Sequence, residues 1–317
     1  MRNITTDHFA GCAPDEITDP RPYCELLRQW STFHPEFAYL PRKFKIAVNA
    51  AADDRAVIRA HDIGLDLVID DTGEIGFRVF VVGGLGRTPI LGKLIREFLP
   101  RRHLLSYLDA ILRVYNRYGR RDNMYKARIK ILVQTLGIEE FTRQVDAEWA
   151  YLQDGPTTVP DAEFARIAHH FAPPPWETLP AEDSAHAARL SSDKAFANWV
   201  RRCVHAHKTP GYAAITLSLK APGVAPGDIT DAQMLAVADL ADRFSFGEAR
   251  MLHEQIEAER HRDEHERALD LSAERRACEV PSPLRERSGC ACQPERTGRE
   301  RDHDEDAPML STRPRER

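Results

Sequence analysis

The chain has no apolar run approaching the roughly 20 residues that a membrane-spanning helix needs. Its first residues, Met1, Arg2, Asn3, Ile4 and Thr5, carry neither the apolar stretch nor the cleavage site of an export signal. A cytoplasmic protein that neither spans nor coats a membrane is expected. Charge of one sign is lacking too. A formal net charge of −5 over 317 residues leaves no global electrostatic case for a nucleic-acid or anionic-membrane partner. The six cysteines (Cys12, Cys24, Cys203, Cys278, Cys290 and Cys292) include no C-x-x-C pair. They read as reduced thiols rather than a disulfide framework, and Cys290 and Cys292 have the wrong spacing for a structural zinc.

The tail is the poorest segment. No aromatic residue follows Phe246, no Lys follows Lys220 and no Asn follows Asn198. About half of the residues after His253 are charged, a composition that cannot build a core. A charged helix over 254–276 and an unstructured remainder are expected. The stretch from His261 to His265 matches the H-x-x-E-H pattern of inverted zinc peptidases, but it has no apolar face and reads as coincidence.

The rest of the chain can fold: 42% of all residues are hydrophobic, enough for one large or two modest domains. Asp19 to Trp30 has helical apolar spacing, and Lys43 to Asn49 alternates like a strand. Leu65 to Asp70 and Ile75 to Val82 flank a turn at Asp71–Gly73 and read as a hairpin. Helices are expected over 101–117, 122–136 and 139–152. Residues 155–210, rich in Pro, Ala and His, read as a linker with one helix near Ala195 to His205. A strand (Gly211–Lys220), a helix (Ile229–Arg243) and a strand (Gly247–His253) follow, the β-α-β order of half a ferredoxin-like fold.

Three segments could carry chemistry. In Tyr39–Val48 (YLPRKFKIAV), Lys43 and Lys45 sit at i and i+2, so on a strand both ammoniums project from one face. Two cations about 7 Å apart suit a small dianion, and crowding lowers each lysine's pKa. A solvated basic edge that discourages strand pairing fits the same spacing. Tyr115–Lys130 (YNRYGRRDNMYKARIK) clusters cations among tyrosines; it suits a polycarboxylate, a phosphate or RNA, or else a solvated helix face. The glycines Gly83, Gly84 and Gly86 follow a strand but lack G-x-G-x-x-G spacing, which argues against a dinucleotide site and leaves close approach to another anionic cofactor open.

Taken together, the segments resemble the assimilatory nitrite and sulfite reductase haemoproteins. The resemblance is carried by Arg2–Asn3, DPRP (Asp19–Pro22), LPRKFKIAV (Leu40–Val48), HDIGL (His61–Leu65), GFRV (Gly76–Val79), GGLGRTP (Gly83–Pro89), NRYGRRDN (Asn116–Asn123) and DLADRFSFGEAR (Asp239–Arg250). It covers about residues 2–255 and implies an α+β chain read as an internal piece of the family's protein. The implied organisation is a sirohaem-binding α/β domain (1–154), the linker (155–210), a ferredoxin-like half-domain (211–255) and a charged tail (256–317). By resemblance the activity is six-electron reduction of sulfite to sulfide or nitrite to ammonia. Electrons would come from a ferredoxin or a flavoprotein through a 4Fe–4S cluster to sirohaem. Lys43, Lys45 and Arg2 would be catalytic. Arg117, Arg121, Asn123, Lys126, Arg128, Lys130, Gly83, Gly84, Gly86 and Arg250 would contact the cofactor. The family's cluster cysteines have no counterpart, and no metal ligand is assigned; Val82 stands where the family tends to have another glycine. A non-catalytic anion- or tetrapyrrole-binding protein derived from the family is the alternative.

Overall fold

Alternation of side chains sets the first sheet. The computed structural model describes residues 1–261 apart from 87, 181–182, 220–222, 224, 226 and 252–255. Strand β1 (Asn3–Thr6) leads to helices α1 (Arg21–Thr32) and α2 (Pro35–Ala38), then to β2 (Lys45–Asn49), β3 (Ile63–Ile69), β4 (Ile75–Val81) and β5 (Lys93–Pro100). The five strands lie side by side in chain order, parallel from β1 to β3 and antiparallel from β3 to β5. Ile46 and Val48 enter the main core with Ile63, Leu65, Phe77 and Val79. Ala47, between them, packs on the opposite face with Ala56, Ile58 and the half-buried Phe80.

Helix α3 (Leu104–Tyr118) supplies the other wall of the main core through Leu104, Leu108, Ile111 and Tyr115, all buried. Two shorter helices, α4 (Ile129–Leu136) and α5 (Ile138–Trp149), follow. Helix α1 turns Tyr23, Leu26 and Leu27 inward, and Tyr23 meets Phe77 edge-on with ring centroids 5.2 Å apart. The expected α1 helix and β3–β4 hairpin are present, each displaced by a residue or two.

Several elements differ from the sequence reading. Strand β2 begins at Lys45, so Lys43 precedes it. Strand β5 has no counterpart in that reading: its apolar residues Leu94, Ile95, Phe98 and Leu99 do not alternate, and two register shifts against β4 absorb the mismatch. The helix expected over 122–136 starts only at Ile129. Before it, the Asn123 carboxamide oxygen accepts the Tyr125 N–H and caps a single 3-10 turn, Met124–Lys126. Residues 155–210 hold three helices rather than one: α6 (Asp161–Ala168), α7 (Ser184–Ser192) and α8 (Lys194–Cys203). Asp183 and Asp193 cap the last two by accepting backbone N–H groups, and Ile167 and Phe196 are buried.

The second sheet contains β6 (Val204–Ala206), β7 (Tyr212–Leu217), β8 (Ala249–Met251) and β9 (Ile256–His261), in the order β6-β7-β9-β8. Helix α9 (Asp231–Phe244) connects β7 to β8 and opens with a reciprocal Thr230–Gln233 capping box. Both β7 and β8 pair antiparallel with β9, so they run the same way with one strand between them, a split β-α-β unit. Strand β9 occupies part of the segment expected to be a charged helix. The rest of that helix, the HRDEH pattern beyond His261, and Cys278, Cys290 and Cys292 lie outside the described residues. The Lys208 N–H donates to Cys12 O (2.8 Å), its ammonium pairs with Glu16 (2.8 Å), and Arg250 donates to the carbonyls of His8 (2.9 Å) and Ala10 (2.7 Å). These contacts tie the second sheet to the loop after β1.

Phe77 is wholly buried at the centre of the first sheet. Phe77→Ala is expected to cost about 3–5 kcal/mol of stability, measured by urea unfolding, with the loss largest of any single truncation in β4.

Candidate anion-binding site

Position in the register decides where the cations go. Phe44 and Ile46 fill the core side, so Lys45 shares the opposite face with Ala47. Lys43, just before the strand, is exposed. The Arg2 N–H donates to Phe44 O (2.8 Å), which brings the start of the chain alongside the two lysines. The Lys43 ammonium is held below the ordinary lysine range, first by the Arg2 guanidinium, then by partial desolvation and by Arg42, Lys45 and Arg128. Four cations thus act on a fifth. The crowding expected from spacing alone extends to two arginines far from it in sequence.

Arg128 reaches this group through a residue to which sequence reasoning gave no role. Asp62, wholly buried, accepts from Arg128 through Nη2 (2.6 Å) and Nε (3.1 Å) on one oxygen. Its other oxygen accepts the Lys45 backbone N–H at 3.0 Å. Burial pushes the Asp62 carboxyl up, and the Arg128 guanidinium pulls it back. His61, beside it, bonds Val57 O through Nδ1 (2.9 Å) and is held below the usual histidine range by burial and by Lys45. The only sequence signal for Asp62 was its place inside HDIGL.

The glycine loop lies over the same pair. A Cβ at Gly83 would stand 2.2 Å from His61 O and 2.4 Å from Arg59 O, and one at Gly84 would stand 3.2 Å from the Arg128 guanidinium. Gly86 has a φ of +111°. Lys130, 7% exposed, donates to Gly84 O (3.3 Å) and to Thr88 O, so it braces the loop from within; burial and Arg128 lower its pKa. Tyr115 anchors the approach: its hydroxyl donates to Ala127 O (2.6 Å) and its ring lies 5.6 Å from that of Phe44.

The remaining expected cofactor contacts are distributed more widely. Arg121 donates to Tyr39 O (2.7 Å) and Asn116 O (3.1 Å), fixing the segment that leads to Lys43. Asn123 serves as the cap already described, and Lys126 is exposed on its turn. Arg117 pairs with Glu148 on α5 (3.4 Å), and Arg250 is committed to the loop carbonyls and to Glu248 (2.7 Å). The structure therefore brings Arg2, Lys43, Lys45 and Arg128 together, with Gly83, Gly84 and Lys130 as their support.

This geometry can be set beside known proteins. Residues 1–151 match the family described as "Nitrite and sulphite reductase 4Fe-4S domain". Over these residues the chain is a member of that family. The ferredoxin sulfite reductase 1 of Mycolicibacterium paratuberculosis is 33% identical over 161 residues, covering 50% of this chain and 29% of that protein. The chloroplastic ferredoxin–nitrite reductase of Arabidopsis thaliana is 31% identical over 152 residues, covering 46% of this chain and 26% of that protein. The solved structure of the Mycobacterium tuberculosis NirA protein matches 84% of this chain and 41% of its own, with a TM-score of 0.57 and 24% identity, a likeness of fold. The chain thus spans less than a third of these two reductases.

An iron–sulfur cluster needs several thiolates. Among the described residues no group of three or more His, Cys, Asp or Glu is placed to hold a metal ion. Burial pushes the Cys24 thiol up to about 12, the reverse of what a ligand needs, and the buried Cys12 thiol donates to Phe9 O at 3.1 Å. The described residues do not fit a cluster.

Gly83→Ala is expected to destabilise the protein by roughly 2 kcal/mol or more, because both neighbouring oxygens are backbone. Gly86→Ala, with open space beside it, should cost only about 1 kcal/mol of φ strain. Paired thermal melts compare the two.

Proposed function

We propose that this chain carries the anion-facing part of a nitrite or sulfite reductase site, with Lys43, Lys45 and Arg2 on the anion. The observation that supports this reading is the convergence of Arg2, Arg42, Lys45 and Arg128 on Lys43. Like charges gathered this way gain most from a ligand of opposite sign. The relatives named as sulfite and nitrite reductases supply the choice of anion. Sirohaem, a macrocycle rich in carboxylates, fits the same surface: Arg2, Lys43, Lys45, Arg121 and Lys126 would pair with those groups, while Arg128 and Lys130 would stay behind them. When bound, sirohaem supplies an iron centre that passes electrons to the anion. Lys43 and Lys45 orient the anion and hold protons at Nζ, and a crowded ammonium releases a proton more readily than an isolated one. Six electrons and six protons convert sulfite to sulfide and three waters. Six electrons and eight protons convert nitrite to ammonium and two waters.

The electron donor in this reading is a ferredoxin, as the relatives' names state for them, or a flavoprotein; the site of action is the cytoplasm. Among the described residues no helix is long and apolar enough to cross a membrane. The second sheet, with its split β-α-β unit, serves as a ferredoxin-like half-domain. A second reading, a non-catalytic binder of small anions or tetrapyrroles, is favoured by one observation: the described residues gather cations without gathering thiolates. Reconstitution with sirohaem followed by viologen-driven turnover separates the two. Sulfide or ammonium formation supports the reductase, and bound pigment without turnover supports the binder.

Nitrite keeps its charge above neutral pH and so reports on the protein alone. Nitrite is expected to raise the melting temperature at pH 7, and Lys43→Ala or Lys45→Ala should each weaken its binding about ten-fold. Lys43 is charged below its pKa and neutral above it. Because that pKa is lowered, nitrite binding should fade as pH rises at a lower pH than an ordinary lysine would set. Calorimetric titrations from pH 7 to 11 read the midpoint, and Lys43→Arg should move the fade upward.

A further inference from the structure

By charge alone a carboxylate inside an anion site opposes the anion, so its presence there calls for another role. Asp62 is wholly buried and makes three hydrogen bonds with its side chain: to Lys45 N–H (3.0 Å), Arg128 Nη2 (2.6 Å) and Arg128 Nε (3.1 Å). Its own carbonyl accepts the Val82 N–H at 3.1 Å. One residue therefore joins the start of β2, the end of β4 and the segment leading into α4. The clamp extends outward, because Arg128 Nη2 also reaches Gly83 O at 3.5 Å and the guanidinium lies where a Gly84 side chain would be.

We propose that Asp62 is a positioning residue for the anion site, acting through Arg128 to fix the charge array around Lys43 and Lys45. The proposal rests on the anion-binding reading above. Without the carboxylate, Arg128 has no charged partner within the site and swings away from it. The array then loses a fixed cation although its net charge becomes more positive. The charged and titratable groups that face Lys43 and Asp62 from the surrounding elements are Arg2, Arg42, Lys45, His61, Tyr115, Arg128 and Lys130. None of them is a second carboxylate. Asp62 is thus the single negative charge in this group, and its removal cannot be compensated by a neighbour.

The test is a double-mutant cycle with Asp62→Asn and Arg128→Gln, read by nitrite affinity and by the NMR titration of 13C-labelled Lys43. Positioning predicts that Asp62→Asn weakens nitrite binding about ten-fold in the wild-type background and less than about two-fold beside Arg128→Gln. Charge alone predicts tighter binding in Asp62→Asn, and that result, or an equal loss in both backgrounds, overturns the proposal. Should the wild-type protein bind no nitrite, the functional reading fails, and the Lys43 titration still decides this one without any ligand. A midpoint that moves in Asp62→Asn but stays put when Arg128→Gln is already present supports it; an unmoved midpoint sinks it. If Asp62→Asn does not fold, Asp62→Glu serves instead. Its extra methylene displaces Arg128 and should weaken binding, and unchanged binding overturns the idea.

Discussion

Cations repel, and a surface that gathers several needs a rigid support to hold them. Here the support is the first sheet. Phe44 and Ile46 are locked in the core on one side, which leaves Lys45 no choice of face, and Lys43 is carried along beside it. The Asp62–Arg128 pair adds an opposing charge, placed where water weakens it little. Removing one member of such a pair leaves the other buried and uncompensated, which costs far more than an exposed ion pair contributes. Other ion pairs, such as Arg28–Glu25 and Arg143–Glu140, sit on exposed helix faces and bear little on the site.

The family match and the cation group fall on the same residues, while the likeness of fold reaches further. The match to the nitrite and sulphite reductase family covers residues 1–151, which contain the whole cation group. Likeness of fold to the NirA protein extends over 84% of the chain, beyond that match. From the side of the second sheet, Lys208 and Arg250 reach across to the loop after β1. Arg250, the arginine that resemblance would place against a cofactor, also holds this loop.

Much of this was legible from residue order, and the failures have physical causes. Period-two alternation revealed β2, β3 and β4, but it carried β2 back to Lys43, which the structure leaves before the strand. Strand β5 was hidden because its register shifts destroy alternation. The false helical start at Asp122 came from apolar spacing that ignored Asn123, whose side chain competes for the backbone. In 155–210 the Pro-rich composition masked the caps at Asp183 and Asp193, both readable as helix starts. Asp62 was visible only as a member of the HDIGL stretch, without a role. Nothing in a lone Asp between His and Ile says that it will be buried against an arginine 66 residues away.

Strand order also sets the sequence of assembly. Strands β3 and β4 are joined by a short turn and can zip together locally, whereas β1 must pair with β2 across an intervening helical segment of some forty residues. Contacts that close long loops form late. Arg2 and Arg128 each join the cation group by closing a loop far longer than the β3–β4 turn, Arg128 across 66 residues, so both complete it after that hairpin can form. The growing fold is spared the repulsion until it is stiff enough to bear it.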